Sequence, residues 1–286
     1  EILPEVVVDK FYIIGSTNSV FTRGNNIWYT DCEIEEFNAD GHDTFRCYAR
    51  SVDISDSSNP KQNAKLSIPG TLFYISPDEG TFYSFSPFRS GQEEATEEGY
   101  DESWSRYTLY VLKLSSDGKR LNVVNSFNIN TYRRVESSTQ SVYTNSQVYF
   151  DKAAMYISTN ETTYEKYQEC DYWDYYNRDQ RITVSVHDIG NGKSKGAVTV
   201  ENGGYGQVVE GGGLMVYKRD MYYSYYYRND QMVFIDTSAR ITDINLTDGM
   251  VSSTYNNYNR YGSPLLRNGD KLYITRGWED IATVVL

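Results

Sequence analysis

Histidine appears twice, cysteine three times and proline only six times in this chain of 286 residues. So few imidazoles and thiols, with no Cys-x-x-Cys pair, leave no ligand set for a structural zinc site, and no metal or cofactor is expected. His42 and His187 lie far apart in the repeat frame, His187 reads as a structural residue on a strand, and no Ser-His-Asp set is recognisable. No Walker loop or dinucleotide fingerprint is present, and "GNGKSKG" at 190–196 is too short for a phosphate loop. No apolar run approaches the roughly 18 residues of a spanning helix, so membrane insertion is not expected. Basic charge is also scarce: 27 Lys plus Arg against 39 Asp plus Glu give a net charge of −12. A nucleic-acid partner would need the opposite surface. A cation, a basic protein or a neutral sugar stays compatible. The chain begins at Glu1, without an initiator Met or a signal peptide, and reads as a processed product or an excerpt of something longer.

What is abundant is tyrosine, with 28 copies. Tyrosine favours strands and half-buried surfaces. An apolar or aromatic residue followed by Tyr recurs inside strand-like runs at Tyr29, Tyr83, Tyr156, Tyr223 and Tyr273. Downstream of these, "VDISDSSNPKQNAKLSIPG" at 52–70 reads as a hairpin broken by Ser, Asn, Pro and Gly. Looser copies follow in "YVLKLSSDGK", "VSVHDIGNGK" and "VFIDTSARIT". The unit is therefore four strands, a to d, in about 60 residues. Four-stranded units repeated radially are β-propeller blades.

The reading is all-β: a single domain over 1–286, a β-propeller of four-stranded antiparallel blades. Five blades are expected, at about 18–70, 71–130, 141–203, 205–258 and 262–286 plus 5–14. "EVVVDKF" sits in the d position and "IATVVL" in the c position, so an N-terminal outer strand would close the ring.

The 52–70 stretch resembles the repeat of secreted bacterial and archaeal β-propellers distantly related to WD repeats. It is also similar to the Leu-Val-Ile-Val-Asp repeat, whose blades read Val-Asp-Val-Ser-Asp-Pro-x-x-Pro. Asp53, Ser55, Asp56, Asn59, Pro60, Pro69 and Gly70 carry the resemblance, and Ser57 stands where that pattern has proline. The match covers about 20 residues. It implies a propeller outside the cytoplasm (secreted, periplasmic or cell-surface) and no particular activity.

In such a frame three long b–c loops rise from one face: 33–45, 87–106 and 160–181. Long loops in compact domains tend to be functional. The second carries Glu93, Glu94, Glu97 and Glu98. The third carries Tyr164, Tyr167, Tyr172, Trp173, Tyr175 and Tyr176. Aromatic side chains dominate interface hot spots, so these ten residues are the candidate partner-binding set. Cys32 and Cys47 flank a turn and either form a disulfide across a hairpin or remain two half-buried thiols; Cys170 is left over.

Five-bladed glycosidases carry two or three carboxylates in a central cavity, and the candidates on or near a strands here are Asp78, Glu79, Asp151 and Glu210. Asp78 and Glu79 read first as a turn, and no catalytic residue is assigned. The sequons at Asn160 and Asn245 matter only in a glycosylating host. The expected function is an extracytoplasmic binding or scaffolding module for a protein partner or a larger surface assembly. A carbohydrate-binding or glycoside-cleaving propeller is the alternative.

Overall fold

The computed structural model describes residues 20–36, 44–86, 89–94, 101–150, 154–166, 175–201, 203–208, 214–221, 228–235, 251–256, 264–268, 271–276 and 280–285. Among them there are 20 strands and no helix, and the pairings are antiparallel. The all-β reading therefore holds. The chain divides into two units, one of residues 1–88, 107–128 and 190–192, the other of 89–106, 129–189 and 193–286.

The first unit opens with an antiparallel meander of β1 (Phe21–Arg23), β2 (Asn26–Glu36), β3 (Thr44–Asp53) and β4 (Lys61–Ile68). Alternation decides its two faces. Trp28, Cys47, Ala49, Leu66 and Ile68 point inward and are buried. Tyr29, Asp31, Arg50 and Lys65 point outward, where Arg50 Nε meets Asp31 Oδ2 at 2.5 Å and Lys65 Nζ meets Glu33 Oε1 at 2.5 Å. Cys32 and Cys47 stand directly opposite in the register and form a disulfide with Cα atoms 4.0 Å apart.

The β3–β4 turn is built by its own side chains. Asp53 Oδ1 accepts the Ser55 N–H at 2.8 Å, and Asp56 Oδ1 accepts the Ser58 N–H at 3.1 Å and its hydroxyl at 2.6 Å. This is the Asx chemistry that marks the segment as a turn in the sequence.

A second sheet of this unit holds β5 (Thr71–Ile75), β6 (Thr81–Phe85), and parts of β8 (Asp101–Leu114) and β9 (Leu121–Glu136). Its Leu72, Ile75, Phe82 and Leu112 share one buried cluster with the inward face of the meander. Phe82 meets Trp28 edge-on at 4.9 Å. Each such fully buried side chain stabilises the unit by about 1.5–3 kcal/mol. Polar bonds fix the register of the two sheets: Leu72 N–H donates to Thr30 Oγ1 at 2.8 Å and Trp28 Nε1 to Glu79 Oε2 at 3.1 Å.

The second unit contains β7 (Arg89–Glu94) paired with the start of β8, then β10 (Gln140–Phe150), β11 (Ala154–Lys166), β12 (Tyr175–Asp188) and β13 (Ser194–Glu201) in meander order. A further meander follows, of β14 (Gly203–Val208), β15 (Leu214–Met221), β16 (Arg228–Ile235) and β17 (Val251–Asn256). β18 (Pro264–Asn268), β19 (Lys271–Arg276) and β20 (Asp280–Val285) form a three-stranded sheet. Ala154, Tyr156, Ile182, Val184, Val186, Val198 and Val200 make one buried cluster on β11–β13, and β14 lies against β10, β11 and β12.

Two expectations need correction. β9 and β10 are hydrogen-bonded edge to edge, Arg133–Glu136 against Ser141–Thr144, rather than standing in separate sheets. The cause is the tight turn between them, where Ser137 N–H reaches Gln140 O at 2.8 Å and Gln140 N–H reaches Ser137 Oγ at 2.9 Å. The long b–c loops are also mostly strand. β2 runs on to Glu36, β7 and β8 fold 89–94 against 101–106, and β11 and β12 stay paired out to Lys166 and Tyr175. Thr162, Thr163 and Tyr164 in β11 and Tyr175 and Tyr176 in β12 favour extended, pleated backbone, which outweighs the charge that made this arm resemble a loop.

Candidate binding surface

The paired arms of β9–β13 give one sheet two unlike faces. On one face the register lines up rows of polar side chains. Arg133, Thr144, Glu161, Arg181 and Glu201 are successive cross-strand neighbours. Arg133 Nε donates to Glu102 Oε1 at 2.8 Å, which extends the row to β8, and Arg181 Nη2 meets Glu161 Oε1 at 2.7 Å. The Glu102 bond and the nearby Glu161 charge hold Arg133 above its ordinary basicity. Next to this row lie Ser146, Thr159, Thr183 and Thr199, whose hydroxyls pair at 3.0 Å for Ser146 with Thr159 and 3.0 Å for Thr183 with Thr199. Exposed ion pairs contribute at most about 1 kcal/mol each. Their effect here is to fix where the charges stand.

A depression of about 410 Å³ opens on this face, lined by Gln140, Val142, Glu161, Thr163, Glu165, Asp179, Arg181 and Glu201. Four carboxylates face one guanidinium, an excess of three negative charges. Its floor is main-chain-paired strand on every side, so the charges are presented without a loop having to order. Among the described residues, no three His, Cys, Asp or Glu side chains come together as a metal site.

The other face carries the buried cluster and, toward the arm ends, three tyrosines. Tyr132 and Tyr143 lie 6.4 Å apart at 63°, and Tyr143 and Tyr164 lie 5.5 Å apart at 89°. The Arg134 guanidinium stands 5.4 Å from the Tyr143 ring. Edge-to-face rings pack well against each other but offer no coplanar platform for a sugar ring.

Of the candidate set, Tyr164 is a strand residue engaged with Tyr143 and not a loop anchor. Glu93 and Glu94 lie on β7 opposite Glu102 and Asp101, and Tyr175 and Tyr176 begin β12. Tyr167, Tyr172, Trp173, Glu97 and Glu98 lie outside the described residues, as do Cys170, Asp151, Glu210, Asn245 and the segment 5–14.

Asp78 takes the Ser76 hydroxyl and, at 3.1 Å, the Gly80 N–H on Oδ1. These bonds hold its carboxyl below the ordinary range, which suits a turn acceptor and not a general acid. Glu79 is tied to Trp28, and Asn160 is mid-strand in β11. The sequence reading missed Glu161, Glu165, Asp179, Arg181 and Glu201. The available signal was the period-two pattern of Glu161, Thr163 and Glu165 against Asp179, Arg181 and Thr183.

No protein-family model matches the chain, and no curated protein matches it. Among solved structures it is similar to Pyrococcus horikoshii acylaminoacyl peptidase in an orthorhombic crystal form, at 10% identity and a TM-score of 0.37. That likeness covers 94% of this chain and 45% of the peptidase chain, so the chain spans less than half the length of the protein it matches. A likeness at this level carries no argument about fold or activity.

Proposed function

We propose that the chain is an extracytoplasmic binding and scaffolding module of the β-propeller kind, without catalytic activity. It engages a protein partner through the polar face of its extended hairpin arms. The observation that carries this reading is the acidic depression on β10–β13, with its four carboxylates and one guanidinium. Its volume suits one basic side chain of a partner, at the lower end of the roughly 300–1,000 Å³ typical of ligand pockets. The net charge of −12 adds long-range attraction for a basic surface.

The propeller form is supported by the meander order of the sheets and by the packing of one sheet on the next within each unit. In this reading residues 5–14 supply the fourth strand beside β20, and the chain joins the secreted propeller families that 52–70 resembles. The Cys32–Cys47 disulfide supports a location outside the cytoplasm, since such bonds persist in oxidising compartments.

Titrating isotopically labelled protein with a lysine-rich peptide tests the site. The amides of Glu161, Thr163, Asp179 and Arg181 should shift, and the affinity should fall steeply between about 50 and 200 mM salt. Asp179→Asn with Glu201→Gln should weaken binding about tenfold, as expected for loss of two attractive charges. Peptide binding that is indifferent to these changes, or that maps to Asp53–Pro60, overturns the assignment.

A further inference from the structure

Arg181 is the one cation among the residues that line the depression. The register sets it between two carboxylates: Glu161 stands directly opposite on β11 and Glu201 directly opposite on β13. Asp179 lies two residues back on the same strand and so on the same face. Arg181 Nη2 meets Glu161 Oε1 at 2.7 Å, while Asp179 and Glu201 carry no ion pair among the described residues. The Arg181 side chain is 54% exposed and that of Glu161 only 30%. A cation arriving from solvent therefore meets the guanidinium before it meets Glu161.

The sheet does not need this cation. The neighbouring rows pair without one, Thr159 opposite Thr183 and Thr163 opposite Asp179. An exposed ion pair adds little to stability, so the larger effect of Arg181 falls on what enters the depression. A positive charge held between Asp179 and Glu201 is drawn by both and repelled by the guanidinium beside them.

We propose that Arg181 is an autoinhibitory contact, an internal substitute for the partner's basic group. This rests on the depression being the partner site, and it adds which partners the site admits. A lone basic side chain gains Asp179 and Glu201 against the repulsion of Arg181. Two or more basic side chains held close together engage both carboxylates at once and displace Arg181 from Glu161. The site therefore selects clustered basic residues over single ones.

Two peptides test this, a short oligolysine and a Gly/Ser peptide with one lysine, each titrated while the amide shifts of Thr163 and Asp179 are followed. The wild-type chain should bind the oligolysine much more tightly than the single-lysine peptide. Arg181→Gln should tighten the single-lysine peptide about three- to tenfold at low salt, as expected for removing one like charge at about 6 Å. That gain should fade by about 0.5 M salt. Arg181→Lys keeps the charge and should bind as the wild type does. Lys119→Gln changes the net charge equally on the exposed β8–β9 turn and should leave both affinities unchanged. Circular dichroism and melting should match the wild type in all three. Suppose the wild type binds oligolysine but Arg181→Gln binds the single-lysine peptide no more tightly; the autoinhibitory role is then overturned and the binding site stands. An equal gain from Lys119→Gln also overturns it, since only the summed charge would matter. Binding by Arg181→Gln alone keeps the role of Arg181 and removes the depression as a working site of the native chain. If no chain binds either peptide, both readings fall.

Discussion

Replacing Gly70 with alanine strains the point where the first meander hands over to the second sheet. Gly70 follows β4 and precedes β5 with φ +89°, a left-handed conformation. A Cβ built there would stand 2.0 Å from Phe85 O, 2.8 Å from Phe85 C and 3.0 Å from Ser86 Cα. All three are backbone atoms, so no side chain can swing aside. The left-handed backbone costs an L residue roughly 1–2 kcal/mol. Relieving the overlap means moving β6 or the β4–β5 junction by about 1 Å, and overpacking of that kind costs about 1–3 kcal/mol. The shift would also loosen Leu72 and Phe82, both fully buried. The sum is about 2–5 kcal/mol, a large share of the roughly 5–15 kcal/mol that holds a domain folded.

Gly118 supplies the internal control. It too is left-handed, with φ +66°, but a Cβ there meets nothing within 4 Å. Gly118→Ala should therefore cost only the backbone part, about 1 kcal/mol. Urea unfolding followed by fluorescence and circular dichroism separates the two. With a slope of about 1–3 kcal/mol per molar, Gly70→Ala should lower the midpoint by about 1 M or more, and clearly further than Gly118→Ala. Equal midpoints for the two variants would refute the steric argument, because only the backbone conformation would then matter.

Two further outcomes follow from the same unit. The Cys32–Cys47 bond closes a loop with a sequence separation of 15, so Cys32→Ala with Cys47→Ala should lower stability by about 3 kcal/mol; a non-reduced digest that yields both thiols free would remove the basis for this. Burial pushes the Tyr107 hydroxyl up to about 12. The folded state thus favours the neutral phenol, so its contribution is intact below the unfolded value near 10 and is lost as pH rises through about 12. Tyr107→Phe should flatten the decline in melting temperature across that window, and an unchanged alkaline profile would show that Tyr107 does not govern it.

Much of the strand layout was legible because turn chemistry is local. Asp56, Ser58 and Asn59 form the β3–β4 turn through contacts two or three residues apart, and Gly118 marks the β8–β9 turn in the same way. The Cys32–Cys47 pairing is half legible. The spacing brings two strand ends together, but only the register, with Cys32 directly opposite Cys47, makes the bond. The edge-to-edge joining of β9 and β10 was not legible. It depends on Ser137 Oγ accepting two amides, from Thr139 at 3.3 Å and from Gln140 at 2.9 Å, in a segment that reads simply as polar.

The arms were misread for a physical reason that also bears on function. Polar residues on both faces of a strand look like a loop to any test based on one apolar face. Near its tip β11 pairs Glu161 with Arg181 on one side and Thr162 with Gln180 on the other, and both partners are polar. The pattern still has period two, but it alternates between charge and neutral amide or hydroxyl instead of between polar and apolar. Gln180 Nε2 donates to Thr162 Oγ1 at 3.2 Å, and both residues are buried, so this polar pair on the inner side is satisfied by its own hydrogen bond. The consequence is a surface of different character from the one the loops suggested. A loop must give up conformational freedom when it binds, at about 0.5–1.5 kcal/mol for each side chain that is immobilised. Glu161 and Arg181 are already held against each other on paired strands, so more of the attraction remains for the partner. Affinity at such a site should depend on the position of each charge more than on the total. Exchanging Glu161 and Arg181, which keeps the net charge and the ion pair, should therefore weaken a lysine-rich peptide nearly as much as removing one carboxylate does. If the exchanged chain binds like the original, the charges act only through their sum.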